Sequence, residues 1–259
     1  MLLENRIAIV SGIGPGVGRE VALALAREGA DIALAARTEA TLEAVATEVR
    51  ALGRRAVCVP TNIAKPEQCG RLVETTVAEL GRVDVLVNNA FKMYPTGPIE
   101  TANFEDWRKI LEVNLFGSLR LSQLVIPHMR AQGGGSIVMV NTMSTRIIEP
   151  SVGGYASSKS ALMIATQTLA KEVGKDKIRV NSIVPGYIWS EKMEAHFHHL
   201  AKTEGRSYEA VHEDVASQTA LHHIPDSAEI ADTVVFFASD LSRAVTGQAL
   251  DVNGGHYFH

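Results

Sequence analysis

Cysteine is scarce in this chain, and long apolar runs are absent. Its 259 residues include only two cysteines, Cys58 and Cys69, which lack the spacing of metal ligands and which we interpret as reduced and structural. No apolar stretch approaches the roughly 18 to 20 residues that span a bilayer, and the charged first residues do not resemble a signal peptide. We therefore expect a cytoplasmic protein without a membrane segment.

The chain also lacks an excess of charge of one sign. It has 25 lysines and arginines against 29 aspartates and glutamates, for a net charge of −4, and the two signs are well mixed. Proteins that bind nucleic acid or anionic membranes carry a basic patch, so neither is expected as a partner. A hydrophobic content of 46% suffices for a core on both faces of a sheet. We expect a globular protein with a small-molecule partner.

Short apolar runs rich in β-branched residues alternate with longer segments of helical periodicity. Strands this apolar are typical of a parallel sheet covered by helices on both sides. The alternation predicts an α/β fold, a Rossmann-type doubly wound parallel sheet of about seven strands with helices on both faces, in a single domain spanning 1–259. Strands are predicted at 6–10, 32–35, 56–59, 83–87, 136–140, 179–184 and 249–252.

Glycines and one long connection lie between the predicted helices and strands. Gly29, Gly53, Gly81 and Gly174 each lie between a helical stretch and a strand, where a left-handed residue that ends a helix is expected. The stretch from about 187 to 226 is irregular and follows the sixth strand. Because ligands bind beyond the carboxyl ends of the strands in such folds, we predict that this stretch is a substrate-binding lid.

A glycine-rich turn follows the first predicted strand, with glycines at 12, 14, 16 and 18. A backbone without Cβ atoms can approach a pyrophosphate closely, and the next helix offers N–H groups and a positive dipole end. The place of the turn between the first strand and the first helix favours a dinucleotide site over a plain tight turn. The residues predicted to hold the dinucleotide here are Gly12, Gly14, Gly16, Val17 and Gly18.

The end of the second strand bears on the choice between NAD and NADP. An acidic residue there would hold the ribose hydroxyls of NAD, whereas an arginine accommodates the 2′-phosphate of NADP. The chain has Ala36 at this place, followed by Arg37. We therefore favour NADP(H) over NAD(H). The alternative is that Arg37 stacks on adenine or lies in solvent, which would leave NAD usable.

Tyr155 and Lys159 are four residues apart in a segment of helical periodicity. On a helix this spacing places the phenol and the ammonium on one face, one turn apart. Lowering a tyrosine pKa from about 10 to about 7 requires roughly 4 kcal/mol, which a cation about 4 Å away supplies at an effective dielectric constant of about 20. The pair predicts that Tyr155 is a general acid/base assisted by Lys159, although such pairs also occur by chance on solvated helices.

Further polar residues suit the same chemistry. Thr142 and Ser144 follow the fifth predicted strand, and either hydroxyl could hold a substrate carbonyl oxygen. Asn114 lies on the helix before that strand, where it could anchor a water that passes protons from Lys159 to solvent. The set predicts proton transfer with a small carbonyl or alcohol substrate.

These motifs together resemble the short-chain dehydrogenase/reductase family over essentially the whole length. Besides the glycine turn, the matching pieces are 88–90, 114–117, 155–159, 185–186 and 246–248. The resemblance implies an NAD(P)-dependent oxidoreductase that interconverts a secondary alcohol and a ketone, with an Asn, Ser, Tyr and Lys tetrad, and a homotetramer. It also implies cofactor contacts from Asn62, Ile63, Asn89, Ala90, Tyr155, Lys159, Pro185, Gly186, Ile188 and Ser190.

The chain departs from the family pattern in four ways. The serine expected thirteen positions before Tyr155 is Thr142, so the hydroxyl comes from Thr142 or Ser144, with the spacing favouring Thr142. Phe91 replaces the glycine of the Asn-Asn-Ala-Gly pattern and is expected to narrow the substrate entrance. Asparagines replace aspartates at 62 and 253, and serine replaces threonine at 190; each keeps part of the hydrogen-bonding role.

Large apolar residues in the variable loops indicate a hydrophobic or cyclic substrate. For Arg146 we expect a solvated position, the alternative being a partner for a substrate carboxylate. Histidines cluster between 196 and 223; we expect them on the surface or lining the pocket, the alternative being a zinc site. No metal is therefore predicted. The expected pocket walls are Phe91, Met93, Tyr94, residues 146–148, Trp189, Met193 and Phe197.

Two other functions remain open from the sequence. A 3-oxoacyl-thioester reductase would share the fold and the tetrad, but it would want a basic surface for an acidic carrier. A catalytically weak sensor or scaffold that binds a dinucleotide is the alternative from another class. Thr142 in place of serine is the only sequence feature that suggests such a loss of catalytic activity.

Overall fold

Seven parallel strands form one sheet in the computed structural model, which describes residues 1–258 apart from the side chain of Lys192. The strand order is β3-β2-β1-β4-β5-β6-β7, so the order reverses beside β1, as in doubly wound sheets. All seven predicted strands are confirmed. Their bounds are β1 (Ile7–Ser11), β2 (Asp31–Ala36), β3 (Ala56–Pro60), β4 (Val85–Asn88), β5 (Gly135–Val140), β6 (Ile178–Pro185) and β7 (Ala249–Val252).

Helices cover both faces of the sheet. Because successive side chains of a strand point to opposite faces, Ala8 and Val10 of β1 enter the core beneath α1, α2 and α9, while Ile7 and Ile9 enter the core beneath α3, α5 and α6. No helix within residues 1–258 is long and apolar enough to cross a membrane. The helices are α1 (Val17–Arg27), α2 (Glu39–Ala51), α3 (Pro66–Leu80), α4 (Phe104–Leu111), α5 (Ser118–Ala131), α6 (Gly153–Val173), α7 (Glu191–Glu204), α8 (Tyr208–Ala216) and α9 (Ser227–Ala238).

The strand register brings the carboxyl ends of the central strands to one edge. Ser11 at the end of β1 lies opposite Ala35 of β2 and Asn88 of β4. Val140 at the end of β5 lies opposite Ile183 of β6. The loops that leave β1, β2, β4, β5 and β6 therefore start side by side, and they carry most of the residues predicted to bind the cofactor.

Three of the four predicted helix-ending glycines are confirmed. Gly29, Gly53 and Gly81 have φ values of 99°, 77° and 95°. The prediction for Gly174 is wrong, because its φ is −59° and the chain continues into a short 3-10 turn. Lys177 takes the left-handed conformation instead, with a φ of 59°, because the reversal into β6 comes three residues later.

The segment 187–226 is mostly helical, so the prediction that it is irregular is wrong. Ser190 and Ser207 cap the amino ends of α7 and α8, accepting hydrogen bonds from the N–H groups of Met193 and Ala210. The two helices bury a small apolar cluster of their own, made of Phe197, Ala201, Val211, Ala216 and Ile224. The segment is held at its base, where the Trp189 N–H donates to the Pro225 carbonyl at 2.8 Å.

Candidate active site

The glycine-rich turn brings its backbone against the loop that follows β4. Gly12 has a φ of 80°, and a Cβ there would lie 2.5 Å from the Cα of Ala90. A Cβ on Gly18 would collide with the carbonyl oxygen of Gly12, whereas Gly14 has open space around it. No side chain within residues 1–258 caps α1, so its first N–H groups face the turn. The turn therefore has the backbone approach and the uncapped helix that a pyrophosphate requires.

An elongated cleft runs along the carboxyl edge of the sheet. It consists of a cavity of about 330 Å³ beside Arg37 and one of about 410 Å³ beside Tyr155, which share Gly12, Asn89 and Phe91 as lining residues. The extended shape and the glycine cradle fit a dinucleotide. Every residue predicted to bind the cofactor lines this cleft: Gly12, Gly14, Gly16, Val17, Gly18, Arg37, Asn62, Ile63, Asn89, Ala90, Tyr155, Lys159, Pro185, Gly186, Ile188 and Ser190.

Arg37 lies exposed at the adenosine end of this cleft, after β2. Within the described part of the chain it has no ion-pair partner, whereas Arg19 on α1 and Arg50 on α2 pair with Glu48 and Glu43. Its guanidinium is thus available to a ligand anion. Asn62, on the same wall, accepts the Ala64 N–H at 3.1 Å through Oδ1, which orders the loop after β3.

Tyr155 lies in the first turn of α6 at the other end of the cleft. Burial raises the pKa of its phenol above the ordinary value, and a hydrogen bond from the Thr142 side chain offsets part of that rise. The Thr142 hydroxyl in turn contacts the Ser144 hydroxyl at 3.3 Å. The structure therefore places Thr142 between Tyr155 and Ser144, which makes Thr142 the nearer of the two candidate hydroxyls.

Lys159 is fully buried one turn after Tyr155, and its Nζ donates to the Val140 carbonyl at 2.7 Å. Burial lowers the pKa of this lysine from 10.5 to about 7. The expected lowering of the Tyr155 pKa by Lys159 is not found in the chain alone. The reason is that burial acts on both groups, because it disfavours the phenolate and the ammonium alike.

Asn114 lies in a π-helical turn, Glu112–Gly117, between α4 and α5. Its side chain accepts the Lys92 N–H at 2.7 Å, donates to the Lys92 carbonyl at 2.9 Å and donates to the Ser158 hydroxyl at 2.8 Å. Ser158 donates to the carbonyl of Tyr155 at 2.7 Å. The side chain thus ties the loop after β4 to α6, a role that the sequence does not indicate. A water relay through Asn114 stays a prediction.

Two expectations about the substrate pocket are wrong. Phe197 is only 3% exposed, because it packs inside the apolar cluster of α7 and α8 rather than on a pocket wall. Arg146 is not solvated, because its Nε lies 3.4 Å from Oδ1 of Asp251 and both side chains are largely buried. Phe91, in contrast, is well exposed, with its ring centroid 6.3 Å from that of Tyr155.

The histidines of the segment 187–226 lie mainly against rings and carboxylates. His198 stacks on Tyr208 at 4.5 Å, and His212 lies edge-on to Trp189 at 5.4 Å. His223 contacts Glu229 at 2.7 Å. Among the described residues no three potential ligands converge on a point where a metal ion could bind.

The cleft also contains residues that the sequence analysis does not single out. Thr41 and Val113 line its adenosine end, and Ser227, at the start of α9, faces Gly16 across the other end. No motif in the sequence indicates Thr41 or Val113. Ser227 is more than 200 residues from the glycine turn, and only the fold brings the two together.

Comparison with known proteins agrees with this geometry. A family profile described as Enoyl-(Acyl carrier protein) reductase matches residues 12–257. The chain is 31% identical over 254 residues to the 3-oxoacyl-[acyl-carrier-protein] reductase FabG of Staphylococcus epidermidis, which covers 98% of this chain and 99% of that protein.

Two solved structures are also similar to this chain. An L-sorbose reductase from Gluconobacter frateurii, solved with NADPH and L-sorbose, has a TM-score of 0.91 and 31% identity over 99% of this chain and 98% of its own. A 7α-hydroxysteroid dehydrogenase, solved with NADH and 7-oxo glycochenodeoxycholic acid, has a TM-score of 0.87 and 30% identity over 98% and 94%. The chain belongs to the short-chain dehydrogenase/reductase family. It is an NAD(P)-dependent oxidoreductase that interconverts alcohols and ketones.

Proposed function

We propose that the Tyr155 phenol, the Thr142 hydroxyl and the buried Lys159 ammonium carry out the proton transfer of this oxidoreductase. The observation that supports this assignment is their meeting in one cavity beside the glycine turn. The dinucleotide, when bound, supplies the hydride to the carbonyl carbon or accepts it from the alcohol carbon. Tyr155 donates the proton to the carbonyl oxygen, and Thr142 holds that oxygen by a hydrogen bond, with Ser144 behind it.

Lys159 has two roles in this proposal. Its protonated form favours the Tyr155 phenolate that remains after proton donation, and in the reductive direction it returns a proton to that phenolate, replenished from solvent through the region of Asn114. Its pKa of about 7 means that a proton leaves and returns at little cost near neutral pH. Asn114 supports both residues by holding the loop after β4 against α6.

The substrate that we propose is a hydrophobic or cyclic small molecule. Phe91, Tyr94 and Ile148 are exposed apolar side chains on the loops that follow β4 and β5, and the segment 187–226 would close over them as a lid. A 3-oxoacyl thioester is the second candidate, because of the likeness to the Staphylococcus epidermidis reductase. A sensor or scaffold without turnover is the alternative from another class.

Turnover with a panel of carbonyl compounds tests this proposal. We expect steady consumption of NADPH, followed by its absorbance, with cyclic or aromatic ketones. Preferred turnover of an acyl thioester such as acetoacetyl-coenzyme A would favour the second candidate. Cofactor binding without turnover of any carbonyl or alcohol would contradict the proposal and favour the sensor.

The same assay, run with NADPH and NADH in parallel, tests the cofactor choice. We propose that NADP(H) is favoured, because Arg37 can make a charge-assisted hydrogen bond to the 2′-phosphate, worth about 1.5 to 3 kcal/mol. This corresponds to a preference of roughly 10- to 100-fold. Ala36→Asp should reverse it, because the carboxylate would accept the ribose hydroxyls and repel the phosphate. Equal or tighter binding of NADH by the unmodified protein would reduce Arg37 to an adenine-stacking residue.

The hydroxyl assignment is tested by Thr142→Val and Ser144→Ala. We expect Thr142→Val to lower kcat/KM by an amount equivalent to about 3 kcal/mol, as for loss of an oxyanion-type donor. Ser144→Ala should have a much smaller effect, because Ser144 contacts Thr142 and not the phenol. A larger loss in Ser144→Ala would transfer the role to Ser144, and normal kinetics in both would reject the assignment.

We also propose a cytoplasmic homotetramer, without nucleic-acid or membrane partners. Phe116 on the π-helical turn and Ile164 on α6 are large and exposed. The π-helical turn and α6 pack against each other, so both side chains belong to one part of the surface. Ala161 and Ala165 on the same helix are small enough to let a symmetry-related helix approach closely. An apolar face of this kind is typical of a surface covered by a second copy.

A further inference from the structure

The side chain of Phe91 occupies a position where the family pattern has glycine, and it lies beside the proton donor. It borders both cavities of the cofactor cleft. Its ring centroid is 6.3 Å from that of Tyr155, with the ring planes inclined by 59°. A glycine here would leave the mouth of the cleft open, whereas the benzyl group adds an apolar surface next to the reacting hydroxyl.

The backbone on both sides of Phe91 is firmly held. Asn89 donates to the Gly12 carbonyl at 2.8 Å, and Ala90 lies directly against the Gly12 backbone. Lys92 on the other side is bonded through both its N–H and its carbonyl to Asn114, at 2.7 and 2.9 Å. Phe91 thus belongs to a firmly held stretch of backbone at the edge of the cleft.

The Phe91 ring is nevertheless 61% exposed. Burial of a large, exposed apolar side chain by a ligand is favourable, because it removes apolar surface from water. Because Phe91 lines the cleft near Tyr155, an aromatic ring bound there can pair with it, and aromatic pairs at centroid distances of about 4.5 to 7 Å are favourable beyond the buried area alone. A puckered ring or a flexible chain gains burial there but no stacking.

We propose that Phe91 is a specificity-determining residue that selects carbonyl compounds in which a flat, aromatic ring is attached to the carbonyl carbon. The inference rests on the proposed function, since it assigns a substrate class to the same site. In this arrangement the ring of the substrate stacks on Phe91 while its carbonyl oxygen meets Tyr155 and Thr142. Acyl thioesters and aliphatic ketones lack the ring that this contact requires.

Three ketones with the same number of carbon atoms test the inference. Acetophenone has a flat ring, cyclohexyl methyl ketone has a puckered ring at the same position, and 2-octanone has a flexible chain. Because the three differ in intrinsic reactivity, the quantity to compare is the ratio of their kcat/KM values in the unmodified enzyme and in Phe91→Leu. Leucine keeps an apolar side chain of similar reach and removes the aromatic face.

We expect the acetophenone to cyclohexyl methyl ketone ratio to fall roughly five-fold in Phe91→Leu. Both ketones are reduced with the same cofactor, so an effect of the variant on NADPH affinity cancels from this ratio. Phe104→Leu is the matched control, because Phe104 is also exposed but lies on α4 against Trp107; its ratio should equal that of the unmodified enzyme. Phe91→Ala should lower the ratio at least as far as Phe91→Leu.

The possible failures are distinguishable. An unchanged ratio in Phe91→Leu, or a change confined to NADPH affinity, would overturn the inference and leave the proposed function standing. Turnover of other ketones but not of acetophenone would do the same. Absence of turnover with every carbonyl compound would overturn the proposed function and this inference with it.

Discussion

Replacing Tyr155 with phenylalanine lowers turnover at least about 100-fold and leaves dinucleotide affinity nearly unchanged, if the proton assignment is right. The substitution removes one oxygen atom from a half-buried ring that contacts Phe91 and the Thr142 side chain. Packing therefore changes little, while the group proposed to transfer a proton to the substrate oxygen is lost. Steady-state turnover and NADPH titration by fluorescence measure the two quantities separately.

Tyr208→Phe is a matched control for this variant. Tyr208 lies on α8, stacks on His198 and lies outside the cofactor cleft, so removal of its hydroxyl should leave turnover close to that of the unmodified enzyme. Turnover of Tyr155→Phe within a few fold of normal would eliminate Tyr155 as the acid/base. A large loss of NADPH affinity would instead assign its hydroxyl mainly to cofactor binding.

Replacing Lys159 with methionine should abolish efficient turnover and yet stabilise the protein without its cofactor. The pKa of Lys159 falls from 10.5 to about 7 on burial, and no carboxylate within residues 1–258 pairs with it. The folded state therefore binds fewer protons than the unfolded state between about pH 7 and 10.5, so stability rises with pH across that window. The cost of burying the charge is fully present below pH 7 and is relieved toward pH 10.5.

We expect Lys159→Met to raise the free energy of unfolding by an amount on the order of 4 kcal/mol at pH 6 and by much less at pH 10. Urea unfolding at the two pH values measures the difference. Lys171→Met, an exposed position on the same helix, should show no such pH dependence. If Lys159→Met changed the free energy of unfolding equally at both pH values, burial would not disfavour the Lys159 ammonium.

The sequence predicted the fold well because strand identity depends on local signals. Runs such as Ile32 to Ala35 are apolar and lie between helical stretches, and β2 extends them by only one residue at each end. The glycine turn is equally readable, because its glycines recur within one short motif directly after the first strand; the contact that requires Gly12, with Ala90 on the loop after β4, depends on the fold. The prediction of a left-handed conformation fails at Gly174, because a 3-10 turn moves the chain reversal to Lys177.

The properties of the site residues are less predictable from the sequence where they depend on burial in the fold. Spacing placed Tyr155 and Lys159 on one helix face, but it does not indicate how deeply α6 is buried, and burial sets the direction of both pKa shifts. Asn114 stays a predicted site residue, and its bonds to Lys92 and Ser158 depend on a π-helical turn that no local pattern indicates. The apolar cluster around Phe197 was missed because both α7 and α8 are needed to form it.

The hydrogen bond between Trp189 and Pro225 joins the two ends of the segment 187–226. An insertion whose ends meet, and which buries its own apolar cluster, can change in length and sequence with little effect on the sheet beneath it. Exchange of this segment between relatives would then change the part of the pocket that we propose it covers, while Phe91 on the loop after β4 and the proposed proton-transfer residues on α6 stay in place. In evolutionary terms, part of the substrate pocket can vary without disturbing the helix that carries Tyr155 and Lys159.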